Sequence, residues 1–176
     1  MSNIKSIYTL AKVRRHVPNW TLIGFKKETF DLYSKVCAAL ASGDRTELRH
    51  LVTPNVFSDM KRQLKVRSEG GWTRIAWSME ENGEDGATPR IEVVQGRLIA
   101  IDPKNDSTGF AQLTVRFNSK QRFAAYDASN ALVAGSLDDV INVEDFWVFE
   151  RSLVNQTSSK WRVAARLNSQ NSDGES

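Results

Sequence analysis

Residues able to do chemistry are sparse and scattered in this chain. Cys37 stands alone, which excludes an internal disulfide framework and any multi-cysteine metal site, and favours a reducing compartment or a thiol packed as a small apolar group. His16 and His50 lie in basic helical neighbourhoods with no nucleophile near them in sequence, so surface or capping roles suit them best. The stretch from Asp102, "DPKNDSTG", imitates a calcium loop until Lys104 falls where a third-position ligand belongs and Ser107 replaces the turn glycine. Carboxylate pairs Glu80-Glu81, Glu84-Asp85 and Asp138-Asp139 fall in expected loops, where solvated turns explain them better than acid/base work does. Asp127 and Glu150 are the two carboxylates whose contexts suggest burial, and a buried acid needs a pairing group before it needs a reaction. No phosphate-cradling glycine loop ending in Lys-Ser/Thr, paired-histidine zinc helix or dinucleotide fingerprint is present. Catalysis has no candidate constellation here.

Cations are organised where catalytic groups are not. The first carboxylate is Glu28; before it stand Lys5, Lys12, Arg14, Arg15, Lys26 and Lys27. Lys61, Arg62, Lys65 and Arg67 form a second cluster. The overall charge of +3 conceals a front, residues 1–70, at +7 and a back at −4. Such asymmetry points to a polyanion, either nucleic acid or an anionic membrane surface, against the plainer reading of lysine-rich helix surfaces kept for solubility. These ten cations are the expected contacts. "SNIKSIYTLAKVRRH" is basic, Ser-containing and acid-free, as a mitochondrial transit peptide is, but it is read here as a working surface laid against phosphates. Docking on its own domain is the alternative.

Elements must hold these charges in place. At 176 residues and 40% hydrophobic content, one domain can bury roughly 70% of its unfolded surface. Residues 1–20 form a basic N-terminal segment, 21–168 one domain and 169–176 a flexible tail. No run of about 18 apolar residues or secretory signal appears, so neither a membrane span nor secretion is expected. Ile4, Ile7 and Leu10 or Ala11 recur at helical spacing. Phe25, Leu32, Val36 and Leu40 make one helical stripe, flanked by Phe30, Tyr33 and Cys37, that stops at Gly43. Asp44 and Glu47 have capping-box spacing and open a short helix contributing Leu48, Leu51 and Val52, and Thr53-Pro54 opens the next, with Phe57, Met60 and Leu64 on its apolar side. After Gly70-Gly71 the period falls to 2. Ile75, Trp77 and Met79, then Ala111, Leu113, Val115 and Phe117, then the aromatic run through Trp147 and Phe149, then Trp161, Val163, Ala165 and Leu167, are the expected inward sets. Gly96 marks a bulge or bend. Helices followed by sequential strands predict α+β: N-terminal helices packed on an antiparallel sheet.

"GDRTELRHLVTPNVFSDM", "QLTVRF", "QRFAAYD", Gly135, "FWVFERSL" and "KWRVAARL", in that order and spacing, resemble the Tim-forty-four-like domain family, named after a subunit of the mitochondrial inner-membrane import motor. The resemblance covers about Phe25 to Leu167 and is weakest over residues 68–109. It implies a cone-shaped fold with a curved sheet on helices, of the NTF-two-like kind, and no enzymatic activity, cofactor or small-molecule substrate. Ribosomal members imply large-subunit ribosomal RNA and neighbouring large-subunit proteins as partners, near the polypeptide exit, with peripheral contact to the mitochondrial inner membrane or insertion machinery. Two alternatives stay open: an import-motor membrane anchor, and a cone enclosing a ligand pocket with Tyr126, Asp127 or Glu150 set deep among apolar residues.

Overall fold

In the computed structural model, the structure describes residues 2–80, 89–105, 108–154 and 159–167, with side chains from Ile7 onward. The loop expected over 81–89, except Pro89, and the tail at 169–176 lie outside the described residues. Four helices precede five strands: α1 (Ser2–His16), α2 (Leu22–Ser42), α3 (Arg45–Leu51), α4 (Pro54–Glu69), β1 (Arg74–Met79), β2 (Arg90–Ile99), β3 (Phe110–Tyr126), β4 (Leu132–Ser152) and β5 (Arg162–Leu167).

Local chemistry sets the helix ends. The Thr21 hydroxyl accepts from the Gly24 amide at 3.0 Å, satisfying one of the orphan donors that open α2. Gly43 closes α2 at φ +76°, a left-handed conformation that costs glycine little. Asp44 caps α3 by accepting from the Glu47 amide at 2.9 Å. Pro54 begins α4 as expected, but the Thr53 hydroxyl makes no cap bond. Instead the Thr53 amide donates to the Val163 carbonyl at 2.9 Å and Val52 bridges Val163, tying the α3–α4 joint to β5.

The sheet is antiparallel and unclosed, in the order β1-β3-β4-β5, with β2 pairing the stretch of β3 that β1 leaves free. One face carries the core. Ala111, Leu113, Val115 and Phe117 of β3 are fully buried with Trp147 and Phe149 of β4, against Phe25, Leu32, Tyr33 and Val36 of α2 and Met60 and Leu64 of α4. Tyr33 stacks on Phe117 with ring centroids 4.3 Å apart and meets Trp147 edge-on at 4.6 Å. Helical and two-residue periods thus supply complementary apolar faces, as the sequence predicts.

Register shifts interrupt the ladders, and two of them bear on the expected inward sets. Pairing of β4 with β5 skips Ala164, so Val163 opposes Phe149 while Ala165 opposes Val148. The inward set of β5 therefore stops at Val163, correcting the expectation for Ala165 and Leu167. Leu167 is 46% exposed, and Arg166 takes the core-side phase opposite Trp147. In β2 the extra residue is Val94, and Gly96 serves another purpose. A Cβ there would stand 2.9 Å from both Thr9 Cγ2 and Leu113 Cδ2, so glycine is what lets α1 lie against the sheet. The helix docks through Thr9 and Val13, with Val17 buried just past its end, whereas Ile7 and Tyr8 are 65% and 60% exposed. Docking of α1 on its own domain, the alternative raised above, is what the structure shows.

Candidate nucleic-acid interface

The ten expected cations meet different fates. Lys5 falls within α1, but its side chain lies outside the described residues. Lys12 is half-buried with its ammonium 5.5 Å from the Tyr8 ring centroid. Arg14 and Arg15 are exposed, Arg14 lying 5.8 Å over Trp20. Lys27 is exposed and Lys26 half-buried on the first turns of α2. On α4, Lys61 is exposed 5.0 Å from the Phe57 centroid, Arg62 pairs with Asp59 at 3.0 Å, and Lys65 stands 3.8 Å from Glu69. Those two ion pairs are solvated and worth little, so they leave both cations available to a stronger anion.

Arg67 departs from expectation. Its guanidinium donates to the carbonyls of Leu40 at 2.7 Å and Ala41 at 3.4 Å, closing orphan acceptors at the C-terminal end of α2. Burial pulls its pKa down. Arg67 therefore braces two helices rather than facing a ligand.

The two clusters share a layer but not a place. Helix α1 packs on β2 and α4 on α3 and β5, so the charges lie toward opposite edges of the sheet with α2 between them. Sequence reasoning missed Arg49 of α3, whose guanidinium lies 5.0 Å from the same Phe57 ring that Lys61 approaches. Its signal was present in the i, i+4 repeat of Arg45 and Arg49.

Residues 71–176 carry 11 Lys/Arg and 15 Asp/Glu, and several of these charges pair across the sheet. On the helix-free face, Arg116 binds Glu144 at 2.6 Å and Glu92 at 3.5 Å, beside an open hollow of about 410 Å³ that also meets Arg90 and Lys120. Arg122 pairs with Glu80 at 2.8 Å. These cations are mostly answered within the sheet.

The carboxylates proposed for a deep pocket sit elsewhere. Asp127 occupies the β3–β4 turn, accepting from the Ser129 hydroxyl at 2.7 Å and from the Ser129 and Ala131 amides; these bonds, the hydroxyl's first, lower its pKa. Tyr126 lies beneath Arg74, and Glu150 accepts from Gln112 at 2.8 Å on the helix-free face. The polar groups that do enter the core are different. The Tyr33 hydroxyl donates to Asp145 at 2.5 Å and accepts from Gln121 at 2.8 Å, while Gln121 also takes the Trp77 indole N–H at 2.8 Å. Burial, followed by Cys37 and Asp145 beside it, pushes the Tyr33 pKa upward, so this is a closed chain of neutral donors with one carboxylate end. Such satisfied polar contacts specify packing. Among the described residues, no group of three His, Cys, Asp or Glu could hold a metal, and no helix is long and apolar enough to cross a membrane. The calcium-like stretch shows Asp102 accepting from the Lys104 amide at 2.9 Å, with residues 106 and 107 outside the description.

Comparison with known proteins agrees with the fold. The chain is 28% identical over 165 residues to large ribosomal subunit protein mL45 of Bos taurus, covering 94% of this chain and 49% of that protein. It is 30% identical over 163 residues to the Drosophila melanogaster mL45, with 93% and 41% covered. For the Xenopus tropicalis mL45 the figures are 30% over 158 residues, with 90% and 46% covered. The chain thus spans half or less of the curated relatives it matches. The Tim44-like domain matches residues 7–167. With its four helices laid on one face of an antiparallel sheet along that same span, the chain belongs to the Tim44-like domain family.

Proposed function

We propose that this chain is a non-catalytic structural component of the mitochondrial large ribosomal subunit, holding ribosomal RNA through the cations of its helical layer. The observation that carries this reading is the similarity to mL45 proteins along nine-tenths of the chain. Exposed cations on α1, α3 and α4, on helices whose other sides form the core, supply the chemistry for phosphate contact. Recognition of this kind follows backbone shape more than base identity, and weakens as salt restores condensed counterions. Neighbouring large-subunit proteins would share the interface.

Peripheral contact with the inner membrane is part of the proposal. Because α1 docks through Thr9 and Val13, its Ile7 and Tyr8 stay exposed, with Lys12 over the Tyr8 ring. A helix with a second apolar face and basic flanks suits a lipid surface. The proposal is tested by salt-graded sucrose gradients of mitochondrial extract. The protein is expected with large subunits at low salt and at the top of the gradient at high salt. Free protein at low salt, together with flotation on anionic vesicles, would favour a membrane-anchor role instead.

A further inference from the structure

We infer that Arg49 of α3 and Lys61 of α4, both gathered at the Phe57 ring, form a two-cation seat for an RNA backbone phosphate. The inference rests on the RNA-holding reading and names a site within it. Both charges lie 5.0 Å from one ring centroid, so they are separated by no more than twice that distance. Each is drawn by the electron-rich face of the ring. Both side chains are exposed, and neither has a carboxylate within ion-pair distance among the described residues. Asp59, the nearest acid in sequence to Lys61, forms its solvated pair with Arg62.

The seat is rigid where it needs to be. Phe57 is 9% exposed and belongs to the core, so the ring that gathers the two cations does not move with the surface. Its two sides come from different helices, but Val52 and Thr53 fasten the joint between those helices to Val163. Two like charges held at one ring without an acid repel, and an anion placed between them removes that repulsion. The guanidinium offers a planar fork to two phosphate oxygens and the ammonium a point charge, a pairing made for a tetrahedral anion.

RNA fits this anion better than lipid does. A lipid surface needs apolar side chains to bury, and on the helices these are exposed chiefly at Ile7, Tyr8 and Ile23 of α1 and α2 and at Val66 near the far end of α4. Exposed residues near the seat in sequence include Arg45, His50, Asn55 and Ser58, which match phosphates and ribose hydroxyls, alongside the acid Asp59.

The test measures binding of a fluorescein-labelled RNA stem-loop across a series of salt concentrations, using the whole chain, the double variant Arg49→Gln/Lys61→Gln and the charge-conserving Arg49→Lys/Lys61→Arg. The double glutamine variant is expected to lower the slope of log affinity against log salt by about 1. The charge-conserving variant restores most of it. Flotation on phosphatidylglycerol vesicles stays at the level of the unmodified chain. A wild-type slope in the double glutamine variant overturns the seat while leaving the RNA-holding reading intact. Absence of salt-dependent RNA binding by the unmodified chain overturns both. Loss of flotation with an unchanged RNA slope assigns the phosphate to lipid and overturns the seat as stated.

Discussion

At the scale of single residues, identical chemistry takes different roles according to what lies beneath it. Lys61 sits over an aromatic ring, Arg62 and Lys65 meet acids one turn away, and Arg67, two residues further, ends helix α2 by binding its last carbonyls. Nothing in the run "KRQLKVR" distinguishes Arg67 from its neighbours, because what distinguishes it is the end of a helix far away in sequence. Arg67→Ala should therefore lower unfolding free energy by about 2 kcal/mol in urea titration, the range for lost charge-assisted hydrogen bonds. The folded variant should keep the salt slope for RNA; a slope shallower by about 1 would return Arg67 to the interface. Cys37 gives a second prediction. Burial first, then the nearby Asp145, pushes its thiol up to about 12 from an ordinary value of 9.0. The folded state thus favours the protonated thiol, and the unfolded chain ionises first as pH rises. This contribution to stability is complete below pH 9.0 and is lost on rising toward about 12, which urea midpoints across that window would reveal. Alkylation at neutral pH should run about 10³-fold slower in the native protein than in the unfolded chain. Equal rates would show the thiol open to solvent and ionising normally.

At the scale of elements, the sequence was legible wherever local chemistry decides. Gly43, Asp44 with Glu47, and Pro54 each mark a helix boundary that the structure keeps, and the two-residue alternation from Ala111 to Phe117 names the core face of β3 correctly. It failed where a partner strand decides. Skipping Ala164 depends on the register of β4, and with it Arg166 turns toward the core side while Leu167 turns to solvent. There Arg166 donates to Gln63 of α4 at 3.0 Å, a contact that no periodicity in "WRVAARL" foretells. Helix α1 has two candidate apolar faces, and the gap at Gly96 selects the one with Thr9 and Val13. Gly96→Val should close that gap and release α1 while leaving the rest folded. Limited trypsin digestion would then cut early after Arg14 or Arg15, with amide protection retained along β3 and β4. Unchanged digestion would mean that Leu113 and Thr9 can shift enough to admit the side chain.

At the scale of the whole molecule, all four helices occupy one face of the sheet, and two consequences follow that no single element carries. Charge on the helices is distributed around the rim of that layer, so α1 and α4 face different parts of any large anion, and the candidate site is a broad surface rather than a pocket. The sequence placed both clusters on helices but contained no measure of their separation, because sheet order sets it. The second consequence is an open edge. Strand β5 covers β4 only from Phe146 to Glu150, so Leu132–Asp145 has no partner strand on its far side among the described residues. Along it, Leu132, Val133, Leu137, Val140 and Ile141 are each between 41% and 53% exposed. A long apolar edge is a template for pairing with another chain, and free proteins usually protect theirs with charge. Here Asp138 and Asp139, which lie within β4 and not in the loop expected for them, are the only such charges between Leu132 and Val143. The isolated protein is therefore expected to self-associate as its concentration rises. Leu137 and Val140 lie in the excursion where β4 pairing jumps from Ile141 opposite Gln121 to Ser136 opposite Phe123, so neither supports the β3 ladder. Leu137→Lys/Val140→Lys should abolish concentration-dependent sedimentation while changing stability by no more than about 0.5 kcal/mol. Persistent association in that variant would move the contact to the other exposed apolar patch, Ile7 and Tyr8 on α1, and Ile7→Lys would then be the variant that removes it.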